Sequence, residues 1–214
     1  MDIIIFSLRN RTKTIIICIV GFCLSTILMS SGCSGNTIPP SNNSCNTTNT
    51  FFQQQYNALL GNVANYTESN TMDLSTHEYS FKVGIGSYTI CKVGYQGNSA
   101  LQAANIPYTI EIADASNTIL FSGIHVFASN TTDYFSITPV TLIAGQVYTI
   151  RRTINNSTVP LSNTIGRIIQ KNSGTMNFPY TTGAGAFTIT ASNFYGRGGP
   201  VPNIGIPFID IVFQ

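Results

Sequence analysis

From residue 77 onward, apolar and polar positions alternate in short runs that are separated by Gly, Asn and Pro. The clearest run, EYSFKV over residues 78–83, has an apolar side chain at every second position. A period of two is the spacing of a β-strand that buries one face. Similar runs predict further strands around residues 91–95, 108–112, 118–127, 135–142, 147–154, 166–170, 186–191 and 206–213.

This succession of at least eight short strands predicts an all-β fold. Strands with one apolar face must bury it against a second sheet, so we predict an antiparallel β-sandwich, jelly-roll-like in arrangement. The last run, IPFIDIVF over residues 206–213, is apolar on both faces apart from Asp210. That pattern is typical of a central strand, and we expect this strand not to lie at a sheet edge.

One helix is predicted before the strands. In the segment from Thr50 to Tyr66, apolar residues recur every three or four positions, as one face of a helix requires. Asn49 or Thr50 is placed to act as its N-cap. We therefore expect a short helix and its lead-in to occupy residues 50–76, with the sandwich itself over residues 77–214.

The first 32 residues have the pattern of an export signal. A basic segment precedes the uncharged apolar run TIIICIVGFCLSTILM, which is short for a membrane span and typical of a signal peptide. Ser30, Ser31 and Gly32 then supply small residues before Cys33. Two alternatives stay open: an uncleaved signal anchor, and an ordinary secretory signal in which Cys33 is incidental.

Cys33 directly after Gly32 resembles the lipobox of bacterial lipoproteins, although the Leu that usually stands three positions earlier is Ser30 here. The resemblance implies that Cys33 is lipidated and becomes the new N-terminus. More than one acyl chain would make the attachment to a membrane stable. We accordingly expect a secreted protein that is anchored at the bacterial outer membrane or cell surface, with residues 33–49 as a flexible tether rich in Asn, Ser, Thr and Pro.

Two cysteines stand beyond the leader and Cys33. Cys45 lies in the tether and Cys91 in a predicted strand. They can pair in an oxidising compartment, and Cys91 can instead be a small buried hydrophobe, which is the reading that we favour.

Charge is scarce throughout the chain and excludes one class of partner. Only 8% of the 214 residues are Asp, Glu, Lys or Arg, against roughly 25% in an average soluble protein. Once residues 1–32 are removed, seven basic and seven acidic residues remain, so the mature chain is close to neutral. Nucleic-acid binding is not expected from such a balance.

The chain shows no constellation that points to catalysis, a histidine-based metal centre or a cofactor, so we expect a protein that is not an enzyme. Its two histidines, His77 and His125, have no ligand-spaced Cys, Asp or Glu beside them. A calcium site that uses Asp114 or Asp133 stays open, although no clustered acidic loop supports it. Asp210 is a lone carboxylate in an apolar strand and needs a partner. Arg151, Arg152 and Arg197 are candidates for a structural ion pair with it.

Three tyrosines are the best candidates for a ligand surface. Tyr134, Tyr180 and Tyr195 lie in loop-like contexts that are rich in Asn and Thr. Flat aromatic faces with amide and hydroxyl neighbours suit sugar rings. Packed strand caps are the ordinary alternative for such residues. Arg197, in the Gly-rich segment GRGGP, stands beside Tyr195 at a candidate binding loop.

Two stretches resemble a family of bacterial extracellular modules whose function is not known. The segment PVTLIAGQVYTI over residues 139–150 is similar to a recurring motif of that family. Phe194-Tyr195-Gly196 and the strand FIDIVF over residues 208–213 are similar to the way its members end. The resemblance covers roughly Phe81 to Phe213. The chain departs from the family in one respect, since members commonly carry Trp and this chain has none.

The resemblance implies a β-sandwich of the kind found in secreted, carbohydrate-associated proteins, and it supplies no catalytic residues. We therefore expect a surface protein that binds a glycan or another extracellular polymer, or serves adhesion. The alternative is a structural module that contacts a partner protein of the cell envelope.

Overall fold

The computed structural model describes residues 45–70, 75–84, 86–154, 158–159, 166–182, 185–196 and 199–214. The predicted signal peptide, the predicted lipidation site Cys33 and Arg197 lie outside these residues. Within them, no helix combines the length and the apolar character that a bilayer span requires.

The described chain contains two helices and thirteen strands. The helices are α1 (Phe51–Leu60) and α2 (Ser99–Ala103). The first strands are β1 (Tyr66–Asn70), β2 (Thr76–Val83), β3 (Tyr88–Tyr95), β4 (Tyr108–Asp114), β5 (Ile119–His125), β6 (Asp133–Leu142) and β7 (Val147–Ile154). The later strands are β8 (Arg167–Lys171), β9 (Tyr180–Thr182), β10 (Phe187–Gly196), β11 (Gly199–Pro202), β12 (Ile206–Pro207) and β13 (Asp210–Phe213).

These strands form three antiparallel sheets. The large sheet has the order β11-β10-β2-β7-β4-β5, with β9 also paired to β10. The C-terminal sheet has the order β13-β3-β6, and the small sheet has the order β1-β8-β12. The prediction of an all-β, antiparallel, sandwich-like fold is confirmed.

The core lies between the large sheet and the C-terminal sheet. Tyr95 of β3 meets Tyr108 of β4 with ring centroids 5.4 Å apart, and Phe187 of β10 meets Phe213 of β13 at 6.3 Å. Phe81, at the centre of β2, is fully buried. Burial of a side chain of this size contributes about 2–3 kcal/mol, so the alternation read from the sequence corresponds to a real inner face.

Helix α1 packs beside the sandwich and begins at the predicted residue. The side-chain oxygen of Thr50 accepts a hydrogen bond from the backbone N–H of Gln53 at 3.0 Å, which makes Thr50 the N-cap. The helix ends at Leu60, before Gly61, and the chain enters β1 at Tyr66. The predicted helix was therefore too long at its C-terminal end.

The predicted final strand is divided between two sheets. Ile206–Pro207 pairs with β8 in the small sheet, whereas Asp210–Phe213 pairs with β3 in the C-terminal sheet. The expectation of a central strand was wrong, because β13 is the edge strand of its sheet. Its four residues are buried all the same, since α1 packs against this strand.

Candidate functional site

A row of polar side chains crosses the outer face of the large sheet. It contains one residue from each of five neighbouring strands, and the strand register places each opposite the next. We call this set the polar row: Asn193, Glu78, Arg151, Glu111 and Ser122. Neighbouring residues along each strand point to the opposite face and fill the core, so the alternation that builds the sandwich also assembles the row.

Arg151 is the centre of the polar row. Its Nε donates to Glu78 Oε2 at 2.7 Å, and its two terminal nitrogens donate to Glu111 Oε2 at 3.3 Å and to Asn117 Oδ1 at 3.4 Å. Burial alone would lower the pKa of Arg151, but the hydrogen bonds and charges of Glu78 and Glu111 outweigh it and raise that pKa. The guanidinium therefore stays charged and orients both carboxylates.

Glu78 is held from its other side by neutral donors. The Tyr195 hydroxyl donates to Glu78 Oε1 at 2.9 Å, and Asn193 Nδ2 donates to the same oxygen at 3.1 Å. Burial and the nearby Glu78 carboxylate raise the pKa of Tyr195. The structure thus brings two of the predicted residues, Tyr195 and Arg151, to one carboxylate.

Hydroxyl groups flank the polar row on both sides. Thr76 and Thr153 face each other with oxygens 3.2 Å apart, and Ser80 and Thr149 do so at 3.0 Å. The outer face therefore presents hydroxyl, amide and guanidinium groups and the carboxylate of Glu111 over several strands, whereas Glu78 is buried among its partners. Such groups exchange hydrogen bonds with polyhydroxylated ligands, which are rich in both donors and acceptors.

Tyr134 is engaged elsewhere, in the C-terminal sheet. It is the second residue of β6 rather than part of a loop, and its ring lies against Gly94 of β3, where an added Cβ would collide with the ring. Its hydroxyl donates to Asp210 Oδ2 at 2.7 Å and accepts from Gln53 Nε2 at 2.8 Å. This tyrosine connects β6 to α1 and β13.

Asp210 is buried among neutral hydrogen-bond donors. Besides Tyr134, Thr50 Oγ1 donates to Oδ1 at 2.6 Å and Gln53 Nε2 donates to Oδ2 at 2.7 Å. Burial raises the pKa of Asp210 to about 6, although these hydrogen bonds and one from the Ile211 backbone oppose the shift. We call the set Asp210, Thr50, Gln53 and Tyr134 the aspartate cluster.

The predicted ion pair of Asp210 with Arg151 or Arg152 was wrong. Neither arginine is among the described partners of Asp210, since Arg151 pairs with Glu78 on the outer face of the large sheet and Arg152 lies beside His77 and Tyr95. Arg197 lies outside the described residues. The partners that the carboxylate needs come instead from α1 and β6. Sequence reasoning looked for an opposite charge, whereas the fold supplies hydroxyl and amide groups.

Arg152 points to the inner face of β7, opposite to its neighbour Arg151. It is fully buried, donates to Nδ1 of His77, and lies 5.4 Å and 5.7 Å from the ring centroids of Tyr95 and Tyr108. Burial, and then the positive charge of Arg152, lower the pKa of His77 well below its usual value. The neutral imidazole is therefore the form that the interior accommodates.

Tyr180 occupies a third location, at the start of β9. Its hydroxyl lies 3.2 Å from that of Tyr66 and accepts from the backbone N–H of Asn177 at 3.0 Å. Burial and the Tyr66 hydroxyl raise the pKa of Tyr180 to about 12. The three predicted tyrosines are thus strand residues with three different sets of partners, and the polar row contacts Tyr195 alone among them. A ligand role for any of them stays a prediction.

Cys45 and Cys91 form a disulfide, with Cα atoms 6.0 Å apart. The preferred reading of Cys91 as a free hydrophobe was therefore wrong. The bond ties the chain just before α1 to β3, close to the aspartate cluster. It was missed because a separation of 46 residues says nothing about distance until the helix is packed on the sheet.

Comparison with known proteins does not add an identity. No protein-family model matches the chain, and no similar curated protein sequence was found. The resemblance to the carbohydrate-associated family stays a prediction. The polar row and the aspartate cluster are therefore the basis for a functional proposal.

Proposed function

We propose that this protein is an exported, non-catalytic β-sandwich that binds a glycan or a similar extracellular polymer through the polar row. The observation that carries the proposal is the row itself, which aligns hydrogen-bonding side chains across five strands on one face of the large sheet. A polar sheet face that spans five strands can contact several sugar units of an extended chain.

The charges of the row favour an uncharged polymer. Arg151 is flanked by two carboxylates, Glu78 and Glu111, so its positive charge is already neutralised. The row therefore offers an acidic polysaccharide no excess of positive charge. We therefore infer that the ligand is a neutral glycan.

Attachment to a membrane through Cys33 is part of the proposal. It rests on the signal-peptide pattern and on the Gly32-Cys33 sequence. The Cys45–Cys91 disulfide supports export, because such bonds persist mainly in oxidising compartments. Metabolic labelling with a fatty-acid analogue tests the attachment. Label should enter the wild-type protein and be absent from Cys33→Ala, and labelled Cys33→Ala would overturn this part.

Affinity electrophoresis through gels that contain neutral or acidic polysaccharides tests the binding function. We expect a neutral polymer to retard the wild-type protein. The double variant Asn193→Ala, Tyr195→Ala should bind about tenfold more weakly, since each substitution removes one hydrogen-bonding group from the face. Thr89→Ala, which removes a hydroxyl from the C-terminal sheet, is the matched control and should bind normally. If no polysaccharide is bound and the protein copurifies with an envelope complex, the assembly module replaces glycan binding.

A further inference from the structure

An apolar groove opens at one end of the sandwich. It encloses a volume of about 290 Å³ between the turn that joins β4 to β5 and the turn that joins β6 to β7. Its apolar lining comes mainly from Leu120, Ile143, Val147 and the ring of Tyr148. None of these residues belongs to the polar row.

The groove carries large hydrophobic side chains that face solvent. Ile143 is 66% exposed, Leu120 is 42% exposed and Val147 is 36% exposed, and Ile119 beside them is 43% exposed. A cluster of exposed aliphatic residues in a chain so rich in polar surface residues marks a contact surface. The question is which partner covers it.

The described chain starts beside β3, which is the strand next to β6. Cys45 is bonded to Cys91 in β3, its Sγ lies 3.5 Å from Gln214 Oε1, and the backbone N–H of Gln214 donates to the carbonyl of Thr89 in the same strand. Thr89 is paired with Thr141 of β6, which lines the groove. The point where the tether joins the domain and the groove therefore lie toward the same end of β3.

The tether limits how far the domain can lie from its anchor. Eleven residues separate Cys33 from Cys45. Even fully extended, such a segment spans only about 40 Å, which is about the diameter of a domain of this size. The domain therefore stays within reach of a membrane that carries Cys33.

We propose that the groove end of the sandwich rests on the lipid bilayer, with Ile143, Leu120 and Val147 inserted into its interfacial region. This inference rests on the proposed attachment at Cys33. Side chains of peripheral proteins bury about 5–10 Å into that region, which fits a cluster of aliphatic tips better than a whole strand.

Charged groups near the groove are compatible with this contact. Lys82 is exposed and lies opposite Val147 in the register of β2 and β7, so its ammonium group can reach lipid phosphates. Asp114 lines the groove, but its Oδ1 already accepts hydrogen bonds from the backbone N–H groups of Ser116 and Thr118 at 2.9 Å each.

The contact also leaves the polar row open to solvent. Arg151 lies four residues beyond Val147 along β7, which is about 13 Å of strand and more than the depth of insertion. A glycan can therefore reach the row while the groove end stays on the membrane.

The absence of tryptophan from the chain allows a direct test. The full-length, processed protein with Ile143→Trp is reconstituted into phosphatidylethanolamine–phosphatidylglycerol vesicles with normal or brominated acyl chains. Val63→Trp is the matched control, because Val63 is 78% exposed and follows the far end of α1, whose first residue Phe51 packs on Tyr88 and Phe213. Leu120→Trp repeats the test at a second groove position.

We expect brominated lipid to quench the fluorescence of Ile143→Trp and Leu120→Trp at least about twofold more than that of Val63→Trp, together with a shift of their emission to shorter wavelength. Equal quenching of all three variants would overturn the inference. A shift without quenching would do so too, since it would mean that protein covers the groove.

Mass spectrometry of the same samples separates the two proposals. A mature chain without acyl groups at Cys33 overturns both the attachment and the membrane contact that rests on it. An acylated chain in which the indole of Ile143→Trp stays unquenched overturns only the membrane contact.

Discussion

Two of the described carboxylates are almost inaccessible to solvent, and they are accommodated in opposite ways. Glu78 is 5% exposed and shares the polar row with the guanidinium of Arg151. Asp210 is fully buried and is surrounded, among the described residues, by hydroxyl and amide donors. Glu78 is paired with a cation, whereas the neutral donors around Asp210 offset only part of the free-energy cost of burying its charge.

The difference follows from where each partner comes from. Arg151 stands opposite Glu78 because β2 and β7 are paired in register. Thr50 and Gln53 reach Asp210 because α1 packs against β13, and the disulfide at Cys45 holds the chain that leads into this helix. One site depends on strand pairing and the other on the docking of a helix.

Removing the disulfide tests the helix-dependent site most severely. In the double variant Cys45→Ser, Cys91→Ser, the bond that closes a loop of 46 residues is lost. We expect the free energy of unfolding to fall by about 4 kcal/mol, from the added conformational freedom of the unfolded chain. Denaturant titration of the double variant and of oxidised wild type measures this loss. Reduced wild type is the control, because it lacks the bond but keeps both cysteines. An unchanged midpoint would mean that packing and hydrogen bonds alone hold α1.

Removing the cation tests the strand-dependent site. In Arg151→Ala, Glu78 keeps its two neutral donors but loses its counter-charge, and we expect a loss of about 3 kcal/mol because the carboxylate is buried. The double variant Arg151→Met, Glu78→Gln should recover most of that loss, since no charge is left unpaired. If the double variant is no more stable than Arg151→Ala, the unpaired charge of Glu78 is not the cause of the lost stability.

Changing the pH separates the two sites. The folded-state pKa of Asp210, about 6, lies above its ordinary value of 3.8, so the folded protein holds this proton more tightly. The resulting stabilisation is complete below about pH 3.8 and is lost as the pH rises through 6. It amounts to about 2–3 kcal/mol.

His77 acts in the opposite direction over part of this range. Because its folded-state pKa is lowered, the unfolded chain takes up a proton below about pH 6.5 and stability falls there. The contribution of Asp210 is therefore the difference between wild type and Asp210→Asn, measured by denaturant titration from pH 4 to pH 7.5. Parallel curves for the two proteins would contradict the raised pKa.

The weakest effect is expected at Glu111, the more exposed of the two carboxylates in the polar row. Glu111 is 26% exposed in its side chain and lies 3.3 Å from Arg151, so Glu111→Gln should cost less than about 1 kcal/mol. Thermal unfolding in low and high salt measures it, and the small difference from wild type should shrink further in salt. A loss as large as that of Arg151→Ala would show that Glu111 and Glu78 act as one unit.

The strands were predictable because their signal is local. Alternation over 78–83 and 147–154 needs no knowledge of partners, and both segments lie within or match observed strands. The short β9 and β11 carry too few residues for such a pattern. The predicted helix runs into the beginning of β1, because nothing in the apolar spacing marks Gly61 as the end of the helix.

The candidate site was less predictable because it depends on register. Arg151 is 73 residues from Glu78 and 40 from Glu111, and nothing in either segment announces the other. Asp210 was correctly identified as a carboxylate in need of partners. Its partners were missed because counting opposite charges overlooks Thr50 and Gln53, which are ordinary helix-start residues until α1 is docked.

The divided C-terminal segment has a consequence for the timing of folding. Residues 206–213 supply an edge strand to the small sheet through β12 and to the C-terminal sheet through β13. They leave the ribosome after every other strand described. Two of the three sheets therefore stay incomplete until synthesis has passed residue 213, which delays cooperative folding. A nascent chain in this state has not completed its fold, which suits the passage through an export channel that the proposed function requires.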